Sequence, residues 1–347
     1  MFVECVQSFG PPRFRERAGF IFSGVTTPVK PFLSINDQLV RIKGRGMTVD
    51  DEDQARRWLA AIGYYRLSGY WYPFRAPNSV GTGLTDRFLS GTSFTEVVRL
   101  YEFDRHLKTL LLSGLERIEV AMRSQIGYVL GAHDPQAYKN VALFRSTFNH
   151  GSWNSTASNR IARARGRDKF VDHHDLKYGG QLPIWVLTDV LDFADISKLF
   201  EAMTSADQRA VSDWFDLTRD PNISNNQKKK WNRRPPLANW LEHLTVVRNI
   251  CAHHGRLWNR QLTPVGTRAT SHLPGFDGVP HDQAEHVYMT ICITAFLLNT
   301  TSPGNTWSQK VANLVHHTFT HFRHRTVEEM GFPSNWAELP QWAGKIS

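Results

Sequence analysis

The chain has 347 residues, 41% of them hydrophobic and 12% aromatic, enough to bury a large core without disulfides or metals. Its longest apolar stretches, such as Ile291 to Leu298 with Thr294 inside, fall far short of the roughly 20 residues that cross a bilayer, so no membrane partner is expected. The formal charge of +9 favours polyanions, and nucleic acid first among them, through phosphate contacts and long-range steering.

Residues 1–28 carry Gly10, Pro11, Pro12, Gly24 and several arginines without an apolar period, so they read as a flexible arm rather than a secretion signal. Order begins near Pro31. Ser34 followed by Asp37, then Leu39 and Ile42, predicts a capped short helix closed by Gly44 and Gly46. A second helix fits Asp51 to Ile62. The run Gly63 to Phe74 places six aromatics in twelve positions, too dense for water, and is expected to staple a turn to the core.

From Ser93 to about Leu130 there is no proline, and Phe94, Val97, Leu100, Phe103, Leu107, Leu110, Leu111, Ile118 and Met122 keep helical spacing, predicting one long helix or two joined at Gly114. Helices are also predicted for Leu182 to Met203, Ala206 to Phe215, Pro236 to about Trp258, Gln283 to Leu298 and Trp307 to Phe322. Strand signals are weak. The expected fold is therefore all-α: a helical bundle forming one domain from residue 29 to 347, with inserted basic loops, one of them near 145 to 180.

Two segments concentrate the positive charge. One holds Arg160, Arg163, Arg165, Arg167 and Lys169; the other holds Lys228, Lys229, Lys230, Arg233 and Arg234 around Trp231. An aromatic within a basic run can stack on an unpaired base, so both are candidate RNA-binding loops, with a plain solvated loop as the competing reading. The cysteines, Cys5, Cys251 and Cys292, are isolated and form no CxxC pair, which fits a reducing cytoplasm and offers no metal site.

The segment 236–258 carries the chemistry. Trp240, Leu244, Val247 and Cys251 recur at i, i+4, i+7 and i+11 as a core-facing stripe. Asn249, His253, Arg256 and Arg260 recur at the same spacings on the opposite side if the helix continues that far. An imidazole, an amide and two guanidiniums suit phosphate chemistry: histidine moves protons near neutral pH, arginine neutralises a developing phosphorane, and asparagine orients. The spacing Arg248-x4-His253 is weak by itself. Arg99 with His106, Arg145 with His150 and Arg167 with His173 satisfy the same loose rule by chance.

What selects Arg248 is its context, the string Val247 to Arg260, which reads VRNICAHHGRLWNR. At these residues the chain resembles the Abi-like abortive-infection family, a branch of the HEPN superfamily of helical ribonucleases. Further landmarks follow in order: Lys30 to Ser34, Gly63 to Phe74, Phe103-Asp104-Arg105, Glu116 to Glu119 with Arg123, Leu182 to Trp185, and Met330 to Pro333 with Trp336. They cover nearly everything after residue 29. Asp189, where the family pattern has Glu, and Ala194, where it has Gly, are departures outside the Arg-Asn-x3-His core.

The resemblance implies metal-independent RNA cleavage with no cofactor, in which the 2′-hydroxyl attacks the adjacent phosphate and leaves a 2′,3′-cyclic phosphate. Arg248, Asn249 and His253 are then the catalytic candidates, with His254, Arg256, Arg260, Glu119 and Arg123 in support. For Glu119 and Arg123, at i and i+4, an ordinary ion pair within one helix is the competing reading. Five helical steps separate Arg248 and His253 by about 140°, so one copy of the motif does not make a complete site and a homodimer with facing motifs is expected. The leading function is a cytoplasmic ribonuclease toxin of phage defence or a toxin–antitoxin pair. The alternative is an RNA-binding regulator that holds a small non-coding RNA.

Overall fold

The computed structural model describes residues 29–79, 83–217, 224–267, 270–276 and 278–346, so the arm expected at 1–28 lies outside the described residues. Ser34 and Asp37 form the reciprocal capping box that starts α1 (Ile35–Gly44), and Asp51 caps α2 (Glu52–Ile62). The aromatic run is helical rather than a stapled turn: it forms α3 (Tyr64–Trp71) and a 3₁₀ turn over Tyr72–Phe74. Leu67, Tyr70, Trp71 and Phe74 are buried, and their i, i+3, i+4, i+7 spacing is a helical stripe that the density of aromatics conceals. A small antiparallel pair follows, β1 (Arg75–Pro77) with β2 (Leu84–Phe88), with Arg75 opposite Phe88.

One unbroken helix, α4 (Phe94–Gly131), passes straight through Gly114 and begins at a capping box between Ser93 and Glu96. The region expected as a basic loop folds into α5 (His150–Ala164) and α6 (Lys169–Tyr178). Asn149 caps α5, and Gly179 closes α6 in the left-handed conformation. Instead of one helix over 182–203 there are two, α7 (Ile184–Val190) and α8 (Phe193–Ala202). Asp192 breaks the run because it forms a capping box with Asp195 and starts a new helix. The chain continues as α9 (Ser205–Trp214), α10 (Asn225–Arg233), α11 (Pro236–Ala252), α12 (Val287–Thr301) and α13 (Trp307–Phe319). The second basic run, like the first, is therefore helical.

These thirteen α-helices and one two-stranded sheet make the described residues an all-α fold. The 38-residue α4 is its axis, packed against α3, α7, α8, α9, α11, α12 and α13. Gly114 is where the C-terminal helices press closest. A Cβ there would lie 2.7 Å from the Thr294 side chain and 3.1 Å from the Trp307 ring nitrogen, so the missing side chain sets the approach of α12 and α13. No helix among the described residues is long and apolar enough to cross a membrane.

Candidate functional site

The predicted stripe of α11, Trp240, Leu244, Val247 and Cys251, is buried as expected. The helix itself stops earlier than expected. Its last residue is Ala252; the His254 N–H donates to the Cys251 carbonyl and the Gly255 N–H to that of Ile250, at 3.1 and 2.8 Å. This is a Schellman closure with His254 at the left-handed position, φ +56°, where glycine or asparagine is the usual occupant. The chain must turn there because Leu257 and Trp258 are fully buried three and four residues later. Asn249, His253 and His254 are all left exposed at the helix end.

A left-handed L-residue costs about 1 kcal/mol, and nothing in the packing asks for an imidazole at this position. Replacing His254 with glycine is therefore expected to raise stability by about that amount, read as a higher midpoint in urea denaturation. An unchanged or lower midpoint would show that the His254 side chain contributes to the fold.

The turn is clamped from below by α4. Asp104, completely buried, accepts the backbone N–H of Leu257 at 3.1 Å, that of Trp258 at 2.8 Å and the Tyr70 hydroxyl at 2.7 Å. The Lys108 ammonium lies 3.1 Å from the same carboxylate and also donates to the Gly255 carbonyl at 3.0 Å. A buried carboxylate needs this set of partners, and the two buried N–H groups of the turn need an acceptor. Burial, reinforced by the Asp104 charge, holds the Tyr70 hydroxyl well above its ordinary range, so it remains a donor. From α3, Arg66 donates to the His254 carbonyl at 2.7 Å. Burial also pushes the Cys251 thiol up to about 12, with Asp104 adding to the effect and Lys108 opposing it, so that thiol stays neutral and is no nucleophile.

Arg248 points to a different part of α4. Its Nε lies 4.0 Å from Glu119 Oε2, while Glu119 Oε1 accepts from Arg123 Nη2 at 2.5 Å. The intrahelical Glu119–Arg123 pair is thus present, and Glu119 stands between Arg123 and the motif arginine. Arg123 also donates to the Leu191 carbonyl at 3.0 Å, which fixes the α7–α8 junction against α4. Asp192, next in the chain, is bound by Arg160 and Arg163, both at 2.8 Å. Burial pushes its carboxyl up, but the Arg163 hydrogen bond and the charges of Arg160, Arg163 and Arg248 outweigh this and hold it below the ordinary carboxylate range. Four arginines, Arg123, Arg160, Arg163 and Arg248, and three carboxylates, Glu119, Asp192 and Asp195, therefore meet here in a cluster with one net positive charge.

The remaining candidates divide. Because the helix ends at Ala252, Arg256 and Arg260 do not continue a polar face with Asn249 and His253. Arg256 donates to the Gly69 carbonyl of α3 and so ties the turn to its neighbour. Arg260 folds back beneath the helix end, its Nη1 3.8 Å from where a Gly255 Cβ would stand. In the first basic segment Arg163 is committed to Asp192, Arg165 is committed to Asp175 at 2.7 Å, and Arg167 is exposed. In the second, Arg234 is paired with Glu201 and Glu242 at 2.9 and 2.6 Å. Lys228, Lys229, Lys230 and Arg233 form no ion pair among the described residues, and Trp231 is half-buried.

Sequence reasoning missed Asp104, Lys108, Tyr70 and Arg66 as positioning groups. The available signal was Asp104 and Lys108 at i, i+4 on the buried stripe of α4, between Leu100, Leu107 and Leu111. Charged residues are almost never fully buried unless paired.

A family model described as Abi-like protein matches residues 57–259, which takes in α3, α4, the Asp104 clamp and the whole Arg248 to His253 motif. No curated protein and no solved structure matches the chain.

Proposed function

This chain belongs to the Abi-like protein family, and from that premise we propose that it is a ribonuclease of HEPN type serving abortive infection or a related toxin–antitoxin pair. The observation that carries the reading is the helix end at residues 253–258: two exposed imidazoles on a turn locked from beneath by a buried carboxylate, one helical segment from an arginine set in a cationic cluster. Rigid support for exposed titratable groups is what general acid–base chemistry requires.

In this reading His253 withdraws the proton from a ribose 2′-hydroxyl or returns one to the leaving 5′-oxygen. Arg248 neutralises the charge that develops on the phosphorane, and Asn249 orients the imidazole or the phosphate. The 2′-oxygen forms the new bond to phosphorus as the bond to the 5′-oxygen breaks, leaving a 2′,3′-cyclic phosphate and a 5′-hydroxyl. Glu119 positions Arg248 and Arg123 in turn holds Glu119, and neither is assigned a contact with substrate. Arg248 lies on the helix wall and His253 at its tip, so we place the complete site at the meeting of two copies of the motif in a homodimer.

Wild-type protein stripped of bound nucleic acid should cut RNA in the presence of chelator, and the 5′ fragments should end in a cyclic phosphate detectable by mass spectrometry. If no RNA is cut and His253→Ala leaves any effect on bacterial growth unaltered, the second reading takes over. That reading, an RNA-binding regulator, is favoured by one observation: the lysine run on α10, whose members carry no ion pair among the described residues.

A further inference from the structure

Between α5, α8 and the end of α10 lies a cleft of about 590 Å³ that plays no part in the motif chemistry. Its size is that of a small-ligand site. The wall on one side is aromatic. Phe148 and Trp153 line it, and Phe148 is braced by Phe144 and Trp153 with ring centroids 5.6 and 6.3 Å away. Phe148 is half-exposed while Trp153 and Phe144 are buried, so a fixed ring presents itself to the cavity.

The rest of the wall is cationic. Lys198 and Arg233 are exposed and form no ion pair among the described residues. Arg145 is hydrogen-bonded to neutral acceptors, including the Met203 carbonyl at 2.8 Å and the Ser205 hydroxyl at 3.1 Å, and forms no ion pair among the described residues, although the Glu201 charge is near enough to act on it. The two acidic residues of the wall are already spoken for: Asp195 binds Arg160 at 2.8 Å and Glu201 binds Arg234 at 2.9 Å. The first turn of α5 also opens into the cleft through Asn149 and Ser152 and adds the positive end of its dipole.

From this combination we infer that the cleft binds a nucleotide unit, its base against Phe148 and its phosphate between Lys198 and Arg233. A simple anion would gain nothing from the aromatic wall, and an apolar ligand would gain nothing from uncompensated cations. The same chemistry could be offered by a free nucleotide or by one residue of a strand. An RNA strand is the assigned source, and only that assignment rests on the ribonuclease reading. The cleft would then anchor RNA away from the 253–258 turn and set which phosphate reaches it.

The test uses full-length His253→Ala protein stripped of RNA, so that binding is measured whether or not the wild type cleaves. Fluorescence anisotropy with a labelled single-stranded oligoribonucleotide, with adenosine 5′-monophosphate as competitor, reads the site. Adding Phe148→Leu, which keeps an apolar side chain under the cleft but removes the stacking face, should weaken strand binding about tenfold, the lower range for one stacked base. Lys198→Glu with Arg233→Glu should weaken it further and flatten its dependence on salt. The monophosphate should displace the strand in part from the His253→Ala protein and not from the Phe148→Leu variant. Binding of the monophosphate without any strand affinity would uphold the nucleotide site and overturn RNA as its source. Unchanged affinity for both ligands in the Phe148→Leu and the double-charge variants would overturn the site itself.

Discussion

His253→Ala should slow RNA cleavage at least about a hundredfold, the lower range for a general acid or base, while RNA affinity stays close to that of the wild type. The side chain is exposed at the C-cap of α11, so its removal leaves no cavity and no unsatisfied partner. Arg248→Ala should cost a similar factor, about a hundred to a thousand for a group that meets charge only in the transition state. It also releases Glu119, whose Oε2 lies 4.0 Å from the guanidinium, so some loss of affinity should accompany the loss of rate. Single-turnover rates beside equilibrium binding, both on protein freed of RNA, separate the two effects. If His253→Ala cuts at the wild-type rate while His254→Ala is inactive, the proton carrier is the neighbouring imidazole and the role assigned to His253 is wrong.

The second large effect lies beneath the turn. Asp104→Ala removes the acceptor of two buried backbone N–H groups and of the Tyr70 hydroxyl, and it leaves the Lys108 ammonium, 3.1 Å away, without its counter-charge. Breaking a buried pair from one side typically costs about 3–5 kcal/mol, a large share of the stability of any domain. Asp104→Asn should fall between the wild type and Asp104→Ala, since an amide oxygen in place of Oδ1 can still accept both N–H groups, whereas an amide NH2 in place of Oδ2 neither accepts from Tyr70 nor neutralises Lys108. Urea denaturation reads the stability. Cleavage, measured where both variants remain folded, should drop as well, because the 253–258 turn loses its anchor. A stability change under about 1 kcal/mol, the size of an ordinary surface substitution or little more, would mean that Arg66, Arg256 and the burial of Leu257 and Trp258 hold the turn unaided.

The helices were legible in the sequence wherever apolar spacing ran uninterrupted: α4, α12 and α13 lie close to their expected spans, α11 starts where expected, and the cap at Ser34 is in its expected place. Breaks were harder. The run 182–203 divides because Asp192 and Asp195 form a capping box, a local hydrogen-bond pattern that a search for apolar period passes over. The two basic segments looked like loops because charge density was mistaken for irregularity. Arg160 and Arg163 extend from α5 to Asp192, so part of the charge is spent on pairs within the fold, while Trp153, Ala157 and Ala164 bury the other face of the helix. At the candidate site the motif string was legible. The end of α11 was not, because the turn is fixed by Asp104, which lies 153 and 154 positions before the two N–H groups it accepts, and runs through a histidine in a conformation that glycine would ordinarily take.

The two anchors of the candidate site, Asp104 under the turn and Glu119 beside Arg248, belong to the same continuous helix. Fifteen residues apart, they stand about 22 Å apart along its axis and about 60° apart around it. That helix therefore acts as a gauge block for the motif. One residue inserted or deleted between positions 104 and 119 would rotate one anchor by about 100° relative to the other, whereas an added residue in a connecting loop would be absorbed locally. The chain is free to vary in the length of its surface connections, but the count of residues along this stretch of α4 is as much a part of the site as the arginine and the histidine.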